Sequence, residues 1–221
     1  IGDIDNINLD NNYNGKSLFI TSTLARQLVE KKAGENWENH FEALRNGELE
    51  DEKENYEKAI EYYSKAIELI DINATGFHKR ANDYLMLAEY EKALKDSDQS
   101  IKLDSKYYYY GLRGTIKYYL NDYEGAINDF KKSIEINSEN ANAYYFLGVV
   151  NAEVKDFESA LVNYSEAIKI NPKNESYYRL RANIKIELED LHGAIEDYST
   201  AIELDATSIE SFFSRGNAKA G

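Results

Sequence analysis

The chain has 221 residues, 43% of them hydrophobic and 30% charged, with one proline, no cysteine and a formal net charge of −14. That composition excludes wholesale disorder, and the missing cysteines exclude disulfides, thiolate zinc sites and cysteine nucleophiles. The acidic balance argues against binding to nucleic-acid backbones or anionic lipid, no apolar run is long enough to span a membrane, and the near-absence of proline points to mostly helix.

Residues 1–39 open the chain. IGDIDNINLDNNYNGK reads as an irregular lead-in, and SLFITSTLARQLVEKK (17–32) reads as one helix suited to capping the helices after it. Residues 37–73 then carry eleven acids against four bases, half of the total negative excess, most of it between Glu48 and Glu57. A solvated turn is the favoured reading of that stretch over a docking patch for a basic partner.

From residue 40 onward the sequence repeats. NYEKAIEYYSKAIELI begins at Asn55, EYEKALKDSDQSIKLD at Glu89, DYEGAINDFKKSIEIN at Asp122, DFESALVNYSEAIKIN at Asp156 and DLHGAIEDYSTAIELD at Asp190. Their small residues Ala59, Ala93, Ala126, Ala160 and Ala194 recur at intervals of 34, 33, 34 and 34. Each segment spaces its apolar residues by threes and fours, which gathers them on one helical face. The Asp or Asn before most of these helices can accept from first-turn amides. Ahead of each lies a second helical stretch, with Gly47, Ala81, Gly114, Gly148 and Ala182 as its small residues. These are expected to let the helix approach the alanines of its partner. IESFFSRGNAK (209–219) opens a sixth unit, which suggests that the natural protein continues.

Five copies agreeing in period and columns resemble the tetratricopeptide repeat family, over about residues 40–219. The resemblance implies an all-α, right-handed α-solenoid of tandem helix–turn–helix units. These would be 40–73, 74–106, 107–140, 141–174, 175–208 and a partial 209–221, with 1–39 as an N-terminal segment. The first unit departs from the pattern at Asn46 and Glu50, and the helix-ending proline occurs only at Pro172.

One pair of columns co-varies within the chain. Arg80, Arg113 and Arg181 recur in the first helices, and Asp96, Asp129 and Asp197 lie sixteen residues later in the second. Where Leu147 replaces the arginine, Asn163 replaces the aspartate. Structural ion pairs tying the helices of a unit are expected. Arg215 has no such partner in the sequence.

Catalysis is not expected. His40, His78 and His192 fall in unrelated places, and no phosphate loop, nucleophile elbow or calcium loop is present. No cofactor or metal is called for. The triplets beginning at Asn73, Asn163 and Asn174 are treated as silent glycosylation matches. The family's geometry puts the first helix of each unit along a concave groove, where a partner's peptide segment or helix would lie. Carried over, the groove residues are His78, Asn82, Tyr108, Tyr118, Tyr119, Tyr145, Phe146, Arg179, Asn183, Phe213 and Asn217, with an aromatic floor at its centre. The competing reading is packing, which is assigned to Tyr56, Tyr84, Tyr110, Tyr123, Tyr144 and Tyr178. The basic clamp by which some family members grip acidic chaperone tails is missing: its columns read His78 and Asn82, then Leu112, then Asn142 and Phe146. The expected role is a non-enzymatic protein-binding scaffold. The alternatives are a regulatory or targeting module of a larger enzyme, or an array that self-associates through its ends near Phe212, Phe213 and Arg215. Lack of cysteine fits the cytoplasm and leaves the periplasm and cell surface open.

Overall fold

The computed structural model describes the backbone of residues 15–220 and the side chains of residues 31 and 34–219. Among the described residues there are eleven helices and no strand: α1 (Gly15–Asp51), α2 (Tyr56–Leu69), α3 (Ala74–Met86), α4 (Tyr90–Leu103), α5 (Tyr107–Tyr119), α6 (Tyr123–Ile136), α7 (Ala141–Glu153), α8 (Phe157–Ile170), α9 (Glu175–Glu187), α10 (Leu191–Leu204) and α11 (Ile209–Ala220). The pairs α1–α2, α3–α4, α5–α6, α7–α8 and α9–α10 pack tightly, and each pair leans on the next. The result is a helical solenoid, in which every unit buries its apolar stripe against a neighbour. Contacts of α3 with α5 and of α5 with α7 bring the first helices together along the inner wall.

At the start the structure differs from the expectation of a separate helix over 17–32. Helix α1 runs unbroken through residue 40, so the expected boundary between 39 and 40 falls inside a helix. Residues 1–14 of the expected lead-in lie outside the described residues. The physical reason is visible in the sequence: Gly34 alone stands between Lys32 and His40 as a weak break, with no proline to stop the helix. His40 fastens the first unit. It is fully buried, its Nδ1 lies 2.8 Å from the Ala66 carbonyl, and its Nε2 lies 2.9 Å from the Asn73 amide nitrogen. Asn73 Nδ2 can only donate, so Nε2 accepts and Nδ1–H donates to the carbonyl.

The turn inside each unit is a Schellman cap built on a residue with positive φ: Glu54, Ala88, Asn121, Lys155 and Glu189, at 58° to 62°. In the fourth unit Lys155 N–H donates to the Ala152 carbonyl at 3.0 Å and Asp156 N–H to that of Asn151 at 2.8 Å. Asp122, Asp156 and Asp190 then accept from Gly125, Ser159 and Gly193 in the first turn of the next helix. Asn55 does not cap α2; its side chain donates to Glu50 at 3.0 Å instead.

The small-residue column meets more than the alanines expected. At Gly47, Gly114 and Gly148 the nearest neighbours are the rings of Tyr63, Phe130 and Tyr164, sixteen residues on. A Cβ on Gly148 would sit 2.7 Å from Tyr164 Cε1. Ala182 packs with both Ala194 and Tyr198.

Candidate functional site

The expected groove residues sit at positions two, five, six, nine, twelve and thirteen of the first helices, along the inner wall. Between α5 and α7 it opens into a cavity of about 320 Å3. Its lining includes Tyr108, Leu112 and Thr115 of α5, Asn142 and Phe146 of α7, and Phe130 below. Phe146 is held flat on Phe130, with centroids 5.8 Å apart and planes 10° apart, so one face of the cavity is preset. Tyr108 is partly exposed and meets His78 and Tyr109 edge-on.

The other groove residues are distributed along the wall. Tyr118 and Tyr119 sit at the opposite end of α5: Tyr118 lies 3.4 Å from Glu153 Oε1 through its hydroxyl, and Tyr119 stacks on Tyr90 at 5.3 Å. Tyr145 turns into the next junction, 5.3 Å from the ring of buried Tyr177 and 6.3 Å from that of buried Tyr164. The five aromatics expected to form one floor are thus split. Tyr108 and Phe146 share the cavity, while Tyr145 packs against the core and Tyr118 and Tyr119 mark the rim.

His78 is wedged against Tyr109 at 4.8 Å with its Nδ1 buried and unpartnered. Burial, helped by the charge of Lys79, holds the imidazole down to a pKa of about 4. Asn82 is exposed on α3. Arg179 is bound by Glu175 at 3.3 Å and Glu210 at 2.9 Å. Asn183 accepts from the buried Tyr198 hydroxyl at 2.6 Å. Phe213 and Asn217 are exposed on α11, and Asn217 lines a cavity of about 280 Å3 with Tyr198 and Ile186.

On the opposite side of the first helices, each arginine of the co-varying column forms two parallel hydrogen bonds with its aspartate. The Nε and Nη2 distances are 2.6 and 2.9 Å for Arg80–Asp96, 2.8 and 2.6 Å for Arg113–Asp129, and 2.8 and 2.7 Å for Arg181–Asp197. An aromatic ring at the preceding turn lies under each guanidinium: Phe77, Tyr110, Tyr178 and, for Arg215, Phe212. Tyr84, Tyr110 and Tyr178, expected as core, are half-buried beside these arginines. Among the described residues the fully packed tyrosines are Tyr63, Tyr109, Tyr164, Tyr177 and Tyr198. A cavity of about 430 Å3 between α3 and α4 is walled by the Arg80–Asp96 pair itself.

Sequence reasoning did not find the acidic pair at the first unit boundary. Asp83 is fully buried with both carboxyl oxygens unpartnered, in the position that holds Ile116, Val150 and Ile184 in later units. Tyr63 donates to Asp51 Oδ2 at 2.7 Å. Burial first, then the neighbouring Asp51 carboxyl, push the Asp83 carboxyl up to about 8, against the opposing pull of Asn82 and Lys79. Among the described residues no group of three potential metal ligands is clustered, and no helix is long and apolar enough to cross a membrane.

Residues 141–174 match the family described as Tetratricopeptide repeat. Residues 47–73 and 175–208 match a second family of that description, and 114–155 match one described as TPR repeat. The chain is 31% identical over 112 residues to TPR repeat-containing protein MJ1428 of Methanocaldococcus jannaschii, covering 51% of this chain and 20% of that protein. It is 36% identical over 87 residues to Small glutamine-rich tetratricopeptide repeat-containing protein 2 of Saccharomyces cerevisiae, covering 39% and 25%. The chain therefore spans a quarter or less of these two relatives. Among solved structures it resembles YrrB, described as a TPR protein with an unusual peptide-binding site, with a TM-score of 0.67 at 19% identity over 85% of this chain and 97% of that one.

Proposed function

The chain belongs to the tetratricopeptide repeat family, and on that premise we propose that it is a non-enzymatic scaffold that holds a segment of a partner protein against the inner wall of its solenoid. As a repeat array of this family it is a protein-interaction module; the groove and its occupant are our reading. The observation that carries it is the cavity between α5 and α7, where Tyr108, Leu112 and Phe146 offer apolar surface beside the amide of Asn142. Apolar anchors that lose water on binding, beside a polar group that fixes register, are the usual anatomy of segment recognition. YrrB, a protein of the same fold, has a peptide-binding site, which agrees with the reading.

The test is a crosslinking pull-down from source lysate with wild type and Tyr108→Ala/Leu112→Ser. These positions are chosen over Tyr145 and Asn183, which support Tyr177 and Tyr198. Loss of a partner by the variant, at unchanged helical circular dichroism and melting, is the expected result. Equal capture by both proteins would move recognition off the inner wall.

A further inference from the structure

The inner wall has a charge pattern that selects among partners. From α3 through α9 its columns hold two cations, Lys79 and Arg179, and both are neutralised by the chain itself. Lys79 Nζ lies 3.0 Å from Glu48, and Arg179 is bound by Glu175 and Glu210. On α1 the exposed Arg45 has Glu42 and Glu48 one turn away on either side. The exposed carboxylates Glu153 and Glu187, by contrast, end α7 and α9 and have no basic residue within ion-pair distance among the described residues. They flank a cavity of about 410 Å3 based on Phe157 and Ile184, with Asn183 beside them and Lys155 as its single basic residue. The carbonyl ends of two helices point the same way and add negative potential.

We propose that the groove is selective for a basic, apolar segment of another protein. Apolar or aromatic side chains would enter the α5–α7 cavity, and an arginine or lysine would sit between Glu153 and Glu187, over the Phe157 ring. This rests on the groove reading above and names its occupant. Two carboxylates and an aromatic face are the partners a desolvating guanidinium or ammonium needs. An acidic segment would meet two carboxylates against one cation, Lys155, a net repulsive arrangement that discriminates against it. A second copy of the chain, carrying a net charge of −14, is disfavoured as occupant for the same reason.

The experiment is selection of short random displayed peptides on the full chain, followed by anisotropy titration of the recovered peptides. Four proteins are compared: wild type, Glu153→Lys/Glu187→Lys, Glu124→Lys/Glu203→Lys and Tyr108→Ala/Leu112→Ser. Glu124 and Glu203 are exposed on α6 and α10 and line none of the inner-wall cavities, so that variant makes the same change in net charge outside the site. Recovered peptides are expected to combine Arg or Lys with apolar residues. They should lose about tenfold in affinity to the rim variant and no more than about twofold to the control variant. Acidic recovered peptides, indifference to the rim variant, or equal loss in both charge variants would each overturn the inference. If such peptides still weaken with Tyr108→Ala/Leu112→Ser, the groove reading stands and only its charge selectivity fails; if they do not, the groove reading fails as well. No enrichment over the blank support would overturn the inference. Concentration-dependent dimerisation abolished by the groove variant would also overturn it, in favour of a second copy.

Discussion

Arg80 and Asp96 are joined by two parallel hydrogen bonds across α3 and α4, and among the described residues Arg80 is the one cation within ion-pair distance of Asp96. The equivalent aspartates are better supplied: Lys117 reaches Asp129 at 2.8 Å and Lys185 reaches Asp197 at 2.9 Å. The three pairs look alike in sequence but are unequal in consequence. Arg80→Leu would leave a buried carboxylate alone and should cost about 3 kcal/mol, whereas Arg113→Leu should cost about 1 to 2 kcal/mol because a lysine remains. Urea unfolding of the two variants checks the order, and Arg80→Leu/Asp96→Leu should recover much of the loss. Equal destabilisation by the two single changes would refute the argument.

The close approach of α7 to α8 depends on a missing methyl. Since a Cβ at Gly148 would fall 2.7 Å from a buried tyrosine ring, Gly148→Ala should destabilise the array by about 1 to 3 kcal/mol. In a helix interior alanine would otherwise be the better residue. Gly34, whose added Cβ meets nothing within 4 Å, is the control. Thermal melting of the two alanine variants should shift in opposite directions.

Five left-handed caps are occupied by residues other than glycine. Their Cβ strain exceeds what glycine loses in chain entropy, so Ala88→Gly should stabilise by a few tenths to about 1 kcal/mol. Asn121→Gly should gain less, because asparagine tolerates this conformation. Melting temperatures that fall in the Ala88 variant would show that the cap is not the governing contact.

Asp83 makes stability depend on pH in an unusual direction. Its carboxyl faces Asp51 from α1 and Tyr56 and Tyr63 from α2, with Asn82 and Lys79 on its own helix. A folded-state pKa of about 8, against an unfolded value near 3.8, means that the native state holds a proton that the unfolded chain has released. The contribution is full below the unfolded value and is lost as pH rises through 8. His78, held at about 4, acts oppositely: its share is present above 6.5 and lost as pH falls toward 4. The difference in unfolding free energy between wild type and Asp83→Asn isolates the first effect. That difference should drift against the wild type from about pH 4 to about pH 8 and level off above it. A flat difference curve would mean that Asp83 is ionised in the native state.

Much of the fold was legible because a period of 34 writes the same columns five times, and the Arg–Asp pairs were legible because one unit lacks both members. The caps were not. The sequence cue for a left-handed residue is glycine, and Glu54, Ala88, Lys155 and Glu189 carry none. The run Tyr107–Tyr110 hid its own orientation, since four identical neighbours have no period from which to choose a buried face; the structure buries Tyr109. The acidic junction was equally hidden. Asp51 and Asp83 lie 32 residues apart, and only packing places both carboxyls in positions that later units fill with apolar side chains. For the groove, the columns could be read from the sequence, but the neutralisation of Lys79 and Arg179 and the turning of Tyr145 into the core could not.

The central claim is that a partner segment lies on the inner wall between α5 and α7. Its most direct test places a photo-crosslinking residue at Thr115, which lines that cavity, or at Glu124, exposed on α6. Each protein is then irradiated with a groove-selected peptide or with source lysate. The account predicts strong crosslinks from position 115 that Tyr108→Ala/Leu112→Ser abolishes, and only background from position 124. Equal labelling from both positions, or labelling from 124 alone, would contradict it.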